Sequence, residues 1–245
     1  MHETPWAFNM HTNPAIHSEP TLPPWWRRPL IIVLLCAVSA VVGGFLDMAN
    51  DVREQETRNF DEAILLAMRV PGDLSDPVGG PYVEEAARDL TALGGVTVLT
   101  LVTITAFGTA HFAGRRKLAW LGLAFVLAGS GMTSVLKSGY NRPRPELVEH
   151  GVAVSNASFP SGHSMMAAII WLILGIVVAR TCERRRERIF IVVIACLVTL
   201  LVGVSRVYLG VHWPTDVAAG WMLGAAWALV FWLVAMKVDP VRFRK

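Results

Sequence analysis

The 245 residues are 53% hydrophobic and 17% charged, with a mean hydropathy of +0.47, against an apolar share of roughly 45–50% in soluble domains. That composition excludes an ordinary water-soluble protein and names the bilayer as the solvent. The net charge of +3 and pI near 9.0 do not describe a nucleic-acid surface, because the Lys and Arg residues sit between apolar runs and form no single patch.

The first 24 residues are rich in Pro, Thr, His and Asn and lack periodicity, so they read as a disordered tail within a cytoplasmic segment 1–28. Trp25-Trp26-Arg27-Arg28 suits an interfacial belt before the apolar run 29–49. No small-residue cleavage site follows that run, which predicts an uncleaved anchor. Further apolar runs near 91–112, 118–136, 161–180, 189–208 and 213–236 are each about 17–25 residues, enough to cross a hydrocarbon core. The expected fold is therefore all-α, a six-helix membrane bundle over 29–236 followed by a basic cytoplasmic tail, 237–245.

Between the first two runs, 50–90 forms the longest polar loop. Its segments 60–69 and 82–93 look amphipathic, with Ile64, Leu65 and Met68 set against Asp61, Glu62 and Arg69. Pro71, Pro77, Gly79, Gly80 and Pro81 separate the two segments. Such helices either lie in the headgroup plane and shape a lipid entrance or pack on the bundle. Cys36, Cys182 and Cys196 show no paired spacing and are read as inert.

Charge gives the orientation. Fourteen Lys and Arg residues, from Arg27 and Arg28 through 115–117, 180–188 and 237–245, lie on one side of the six helices. Eight lie on the other: Arg53, Arg58, Arg69, Arg88, Lys137, Arg142, Arg144 and Arg206. By the positive-inside rule both termini are cytoplasmic, and 50–90, 137–160 and 206–213 face outward.

Three polar clusters interrupt the apolar pattern, all at outward helix ends. Lys137-Ser-Gly-Tyr-Asn-Arg142-Pro143-Arg144-Pro145 ends a helix in cations and prolines, which suits an anion cradle and equally suits a plain helix stop. Phe159-Pro160-Ser161-Gly162-His163-Ser164 precedes an apolar run, so unpaired N–H groups point outward where an anion can bind. Ser161 serves there as helix cap or phosphate donor, Gly162 permits close approach, and His163 is a proton donor or an interfacial residue. Ser205-Arg206-Val-Tyr-Leu-Gly210-Val-His212-Trp-Pro214-Thr-Asp216 spans the fifth and sixth runs. If the turn is helical, the spacing places Asp216 on the same face as His212, so that the carboxylate orients the ring for nucleophilic attack; Asp216 equally suits a plain helix N-terminus and His212 an interface. Together the clusters hold what phosphoryl transfer needs: cations, oriented N–H donors, a nucleophile with its carboxylate, and an acid.

These residues resemble the type 2 phosphatidic acid phosphatases, a family that shares its core with vanadium haloperoxidases and glucose-6-phosphatase. Lys137 and Arg144-Pro145 fit its first motif, with Arg142-Pro143 two residues early. Pro160-Ser161-Gly162-His163 fits the second, and Ser205, Arg206, His212 and Asp216 the third. The resemblance covers roughly 90–236. It implies that His212 attacks phosphorus, Asp216 orients it and His163 protonates the leaving lipid oxygen. It also implies that Lys137, Arg144, Arg206, Ser161 and the Gly162 amide hold the phosphate. No metal or other cofactor is expected, since the cations meet the charge and no carboxylate cluster accompanies the motifs.

The expected partners are a membrane lipid phosphate and the bilayer, with no nucleic acid, and the oligomeric state stays open between monomer and dimer. Undecaprenyl pyrophosphate suits an outward, lipid-accessible site; phosphatidylglycerophosphate, phosphatidic acid, diacylglycerol pyrophosphate and lipid A phosphates fit the same features. A phosphotransferase of the same superfamily and, more remotely, a transporter are the alternatives. Vanadate is expected to inhibit. Gly220-Trp-Met-Leu-Gly224 permits close helix approach, read as packing within the bundle before dimerisation. The Asn156-Ala157-Ser158 sequon is discounted because it falls in the active-site loop.

Overall fold

A computed structural model describes residues 28–152 and 157–239. The proposed tail, the Trp25-Trp26 belt, Asn156 of the sequon and the chain from 240 lie outside the described residues. Helix α1 (Arg28–Arg53) follows the first apolar run and extends one turn past it. The polar loop then folds into α2 (Arg58–Ala67), a hairpin of β1 (Arg69–Val70) and β2 (Asp73–Pro77), and α3 (Gly80–Ala92). The hairpin adds a small antiparallel sheet, with Arg69 opposite Pro77, to an otherwise helical molecule. Asp-Leu-Ser-Asp-Pro carries no apolar alternation, so β2 left no strand signal in the sequence. Its turn at Gly72 takes φ +92°, a conformation natural to glycine.

Four long helices complete the bundle with α4 (Val96–Phe112): α5 (Arg116–Tyr140), α6 (Gly162–Ala179), α7 (Arg185–Tyr208) and α8 (Pro214–Val238). Helices α1, α5, α6, α7 and α8 are each long and apolar enough to span a membrane. The run expected at 91–112 is broken: α3 and α4 meet at Leu93-Gly94-Gly95 with a 47° bend. Counted as one bent span, the pair supplies the sixth crossing. At 17 residues, α4 alone rises about 26 Å, short of the roughly 30 Å hydrocarbon core.

Helix α6 is apolar on every side, and such a helix belongs in the centre. Met165, Ala167, Ala168, Ile169, Ile170 and Ile173 are all buried, packed among α5, α7 and α8. Gly220 and Gly224 face this helix. A Cβ on Gly220 would sit 2.8 Å from Ser161 O, and one on Gly224 would sit 2.4 Å from Ala168 Cβ. The small-residue pair thus seats α8 on α6 within the bundle, as expected. Outward, Ile32, Val33, Leu101, Ile104, Leu127 and Val193 are exposed on the spanning helices. In hydrocarbon they need no cover. The chain is an integral membrane protein.

The loop elements pack on the bundle. Helix α3 lies against α7, and Leu65 of α2 is buried with Val148, Val207 and Val217. The polar face expected for α2 is not all polar surface: Asp61, one turn before Leu65, is buried beside it, and Arg69 is buried as well. Arg69 donates from Nη1 to Tyr208 O at 3.0 Å, and Tyr208 OH donates to Val78 O at 2.8 Å, which fastens the hairpin to the end of α7.

Candidate active site

The ends of α5, α6, α7 and α8 converge at one end of the bundle. Lys137 lies in the last turn of α5, where Asn141 at φ 40° closes the helix and Pro143 and Pro145 keep the chain extended. In the first turn of α6, a Cβ on Gly162 would come within 3.1 Å of Lys137 Cε. Glycine there lets the lysine lie across the unpaired N–H groups. Arg206 comes from the last turn of α7, and Gly210, at φ +71°, reverses the chain toward His212. Pro214 begins α8 and holds Trp213 extended, at φ −71° and ψ 149°.

His212 is buried. Its Nδ1 lies 3.4 Å from Asp216 Oδ2 and 3.3 Å from Ser158 Oγ, while Nε2 lies 3.3 Å from Arg144 Nη1. A guanidinium only donates, so Nε2 accepts, and these partners assign the ring proton to Nδ1. Burial, reinforced by the charges of Arg144 and Arg206, pushes the His212 pKa down to about 4 against the opposing pull of Asp216. At neutral pH the ring is uncharged with a lone pair on Nε2. The expected pairing with Asp216 is present, but not through a shared helical face. His212 precedes α8, and Asp216 reaches back from the first turn, accepting also from Trp213 N at 2.9 Å.

Two residues that the motifs do not contain complete the carboxylate's shell. Ser158 Oγ donates to Asp216 Oδ2, and Arg142 Nη1 donates to Oδ1 at 2.7 Å. Arg142 also reaches Asp61 Oδ2 through Nη2 at 2.7 Å and Thr215 Oγ1 through Nη1 at 2.8 Å. Asp61 in turn accepts from Thr215 N at 2.9 Å and Thr215 Oγ1 at 2.7 Å. It is Arg144, the arginine selected by spacing, that lies against His212; it also donates to Val211 O at 2.5 Å. Ser158 was visible in sequence only as the last residue of a sequon, and Asp61 only as half of an acidic pair.

A cavity of about 570 Å³ opens beside His212. Lys137, Arg144, Gly162, His163 and Arg206 border its polar end, and it continues between α4 and α5 past Leu99, Val126 and Ile170. Arg206 Nη1 donates to Thr91 Oγ1 at 2.9 Å, while its buried Nε has no partner among the described residues, a spare donor for an anion. Ser161 is buried, gives its N–H to Asp216 O and accepts from Ser164 Oγ at 2.9 Å. It does not border this cavity, whereas the adjacent Gly162 does. A second cavity, about 800 Å³, lies on the far side of Arg144 among Arg53, Asp61, Glu62, Tyr140 and Trp213.

A membrane-embedded bundle that gathers three cations and a neutral, carboxylate-backed histidine around one cavity defines a class: an integral membrane enzyme of phosphate chemistry. Residues 117–239 match the PAP2 superfamily, and the chain belongs to it. It is 34% identical over 206 residues to phosphatidylglycerophosphatase B of Bacillus subtilis, an alignment covering 82% of this chain and 95% of that protein. The crystal structure of a transmembrane PAP2-type phosphatidylglycerolphosphate phosphatase from Bacillus subtilis superposes with a TM-score of 0.76 at 27% identity. That match covers 84% of this chain and 98% of that one. Aquifex aeolicus LpxE superposes less fully, with a TM-score of 0.51 at 25% identity over 63% of this chain and 87% of its own. The chain is a membrane phosphatase of the superfamily.

Proposed function

We propose that this phosphatase removes the terminal phosphate of a membrane lipid, with phosphatidylglycerophosphate the leading substrate, through a phosphohistidine on His212 at the extracytoplasmic face. The single observation that carries the reading is the two-ended cavity. Its polar end presents His212 Nε2 with Lys137, Arg144 and Arg206, and its apolar end opens between membrane helices. A phosphate held by the cations leaves its acyl chains in the slot between α4 and α5. The similarity to phosphatidylglycerophosphatase B favours that lipid among the candidates.

The Nε2 lone pair attacks phosphorus as the bond from phosphorus to the lipid oxygen breaks, and His163 delivers a proton to that oxygen. Asp216 holds the Nδ1 proton so that the positive charge developing on the ring has a partner. Lys137, Arg144, Arg206 and the Gly162 amide take up the charge of the transferring group, and Ser161 supports that turn from beneath. Water then attacks the phosphohistidine while the deprotonated His163 takes its proton, the P–N bond breaks, its electron pair returns to Nε2, and inorganic phosphate leaves with His163 restored.

The excess of Lys and Arg at the opposite end of the bundle supports a site facing away from the cytoplasm, with segments 1–28 and 237–245 inside. The phosphotransferase alternative has one observation in its favour, the 800 Å³ cavity beside Arg144, which has room for a hydroxyl acceptor. Purified protein assayed against a panel of lipid phosphates ranks the substrates and decides between hydrolysis and transfer. The expected result is free phosphate, released fastest from phosphatidylglycerophosphate and abolished in His212→Ala. Label passed from donor to another lipid, with no free phosphate, overturns hydrolysis.

A further inference from the structure

We propose that Arg142 and Asp61 are positioning residues for this reaction: Arg142 aligns and charge-balances Asp216 behind His212, and Asp61 of the loop helix α2 holds Arg142 in place. This inference rests on the reading of His212 as nucleophile.

The guanidinium fork of Arg142 spans two buried carboxylates. Nη1 lies 2.7 Å from Asp216 Oδ1 and Nη2 lies 2.7 Å from Asp61 Oδ2. The two oxygens of Asp216 are thus divided. Oδ2 faces His212 Nδ1, Ser158 and the Trp213 N–H, while Oδ1 takes the Arg142 bond. Rotation of the carboxylate, and with it the acceptor offered to the imidazole, is set from the Oδ1 side by a rigid guanidinium that gives one bond to each of the two carboxylates. Arg142 does not border the cavity that holds Lys137, His163 and Arg206. It is directed at carboxylates, not at the phosphate.

Asp61 makes the arrangement specific. It accepts from the backbone and the hydroxyl of Thr215, the residue next to Asp216, so α2 is bonded to the first turn of α8 as well as to Arg142. Without the guanidinium, the buried carboxylates of Asp61 and Asp216 would be left with no cation between them, an arrangement far costlier than the neutralised one. Asp61 lies well before residue 117, where the match to the superfamily begins. The polar loop therefore supplies part of the site's support.

The test compares Arg142→Gln, Arg144→Gln, His212→Asn, Asp61→Asn and the double variant Arg142→Gln/Asp61→Asn, each read for kcat, KM and inhibition by inorganic phosphate. Arg142→Gln is expected to lose about 100-fold in kcat while KM and the phosphate inhibition constant stay within about twofold. The double variant, relieved of the unpaired carboxylate, is expected to recover about tenfold over the single one. Arg144→Gln is expected to weaken phosphate inhibition instead. Should Arg142→Gln not yield monodisperse protein, Asp61→Asn carries the test, with kcat expected to fall about tenfold at constant KM. A kept kcat with raised KM and weakened phosphate inhibition in Arg142→Gln, a double variant no better than the single, or wild-type kcat in Asp61→Asn overturns the proposal. Turnover surviving in His212→Asn sinks the nucleophile reading itself, an outcome distinct from all of these.

Discussion

Ser158 touches both members of the pair at the centre of the site, donating to Asp216 Oδ2 with its Oγ 3.3 Å from His212 Nδ1. A hydrogen bond to a charged acceptor contributes about 1.5–3 kcal/mol, so Ser158→Ala is expected to lower kcat about 10- to 100-fold with little change in KM. Steady-state kinetics on a single lipid checks this, and an unchanged kcat refutes it. His212 carries a pH signature of its own. Its pKa is lowered by burial from 6.5 to about 4. Between those values the unfolded chain binds a proton that the folded chain refuses, so stability is complete above 6.5 and declines as pH falls toward 4. Nitrogen NMR of the labelled ring should show the neutral form, protonated at Nδ1, at pH 7 and at pH 5, with the second proton arriving only near pH 4; titration near 6.5 contradicts the burial argument. At this scale the sequence singled out Lys137, Arg144, His163, Arg206, His212 and Asp216 as candidates, because ionisable residues at membrane helix ends stand out against an apolar background, and they do lie together. It did not disclose Ser158, Arg142 or Asp61 as a unit. Their meeting depends on tertiary contacts between residues as far apart as 61 and 216, which no local spacing encodes.

At the scale of elements, α6 and α8 form the scaffold that fixes the distance between the second and third motifs. Their close approach depends on Gly220 and Gly224, and a side chain at 224 would meet Ala168 Cβ and Met165 O at 2.4 and 2.8 Å. Overpacking of this kind costs about 1–3 kcal/mol, and Gly224→Leu is expected to lower the thermal midpoint in detergent and reduce kcat together. A variant with unaltered midpoint and kcat contradicts the packing argument. Five of the six spans were legible as continuous apolar runs. The other, expected as one helix over 91–112, bends where Gly94-Gly95 interrupts it. Gly94 packs against Val202 of α7 and the backbone of His163, a place where any Cβ would collide. The pair of glycines is the sequence trace of that bend, but a flexible pair in an apolar run does not by itself tell a bend from a straight helix. The loop helices carry an amphipathic signature that left headgroup-plane and bundle-packed placements open; they pack on the bundle, and part of the polar side of α2, Asp61, faces Arg142 and Thr215 inside the protein.

For the whole molecule, the bundle sets a charged site at one end of an apolar slot, which is how one chain handles a substrate with an ionic head and a hydrocarbon body. Composition alone disclosed the membrane setting, and the Lys and Arg asymmetry gave an orientation that is testable without any substrate. In a background lacking Cys36, Cys182 and Cys196, a cysteine replacing the exposed Glu149 should react with a membrane-impermeant maleimide in intact cells, and Cys182 restored alone should not. The reverse pattern turns the molecule over.

Trapping the covalent intermediate tests the central claim most directly. Rapid acid-free quenching of the enzyme with a lipid carrying labelled terminal phosphate should yield a phosphoprotein stable to alkali and labile to acid, with the label on the peptide containing His212. His212→Asn should give neither label nor turnover. Label on another residue, or turnover by His212→Asn, would contradict the account.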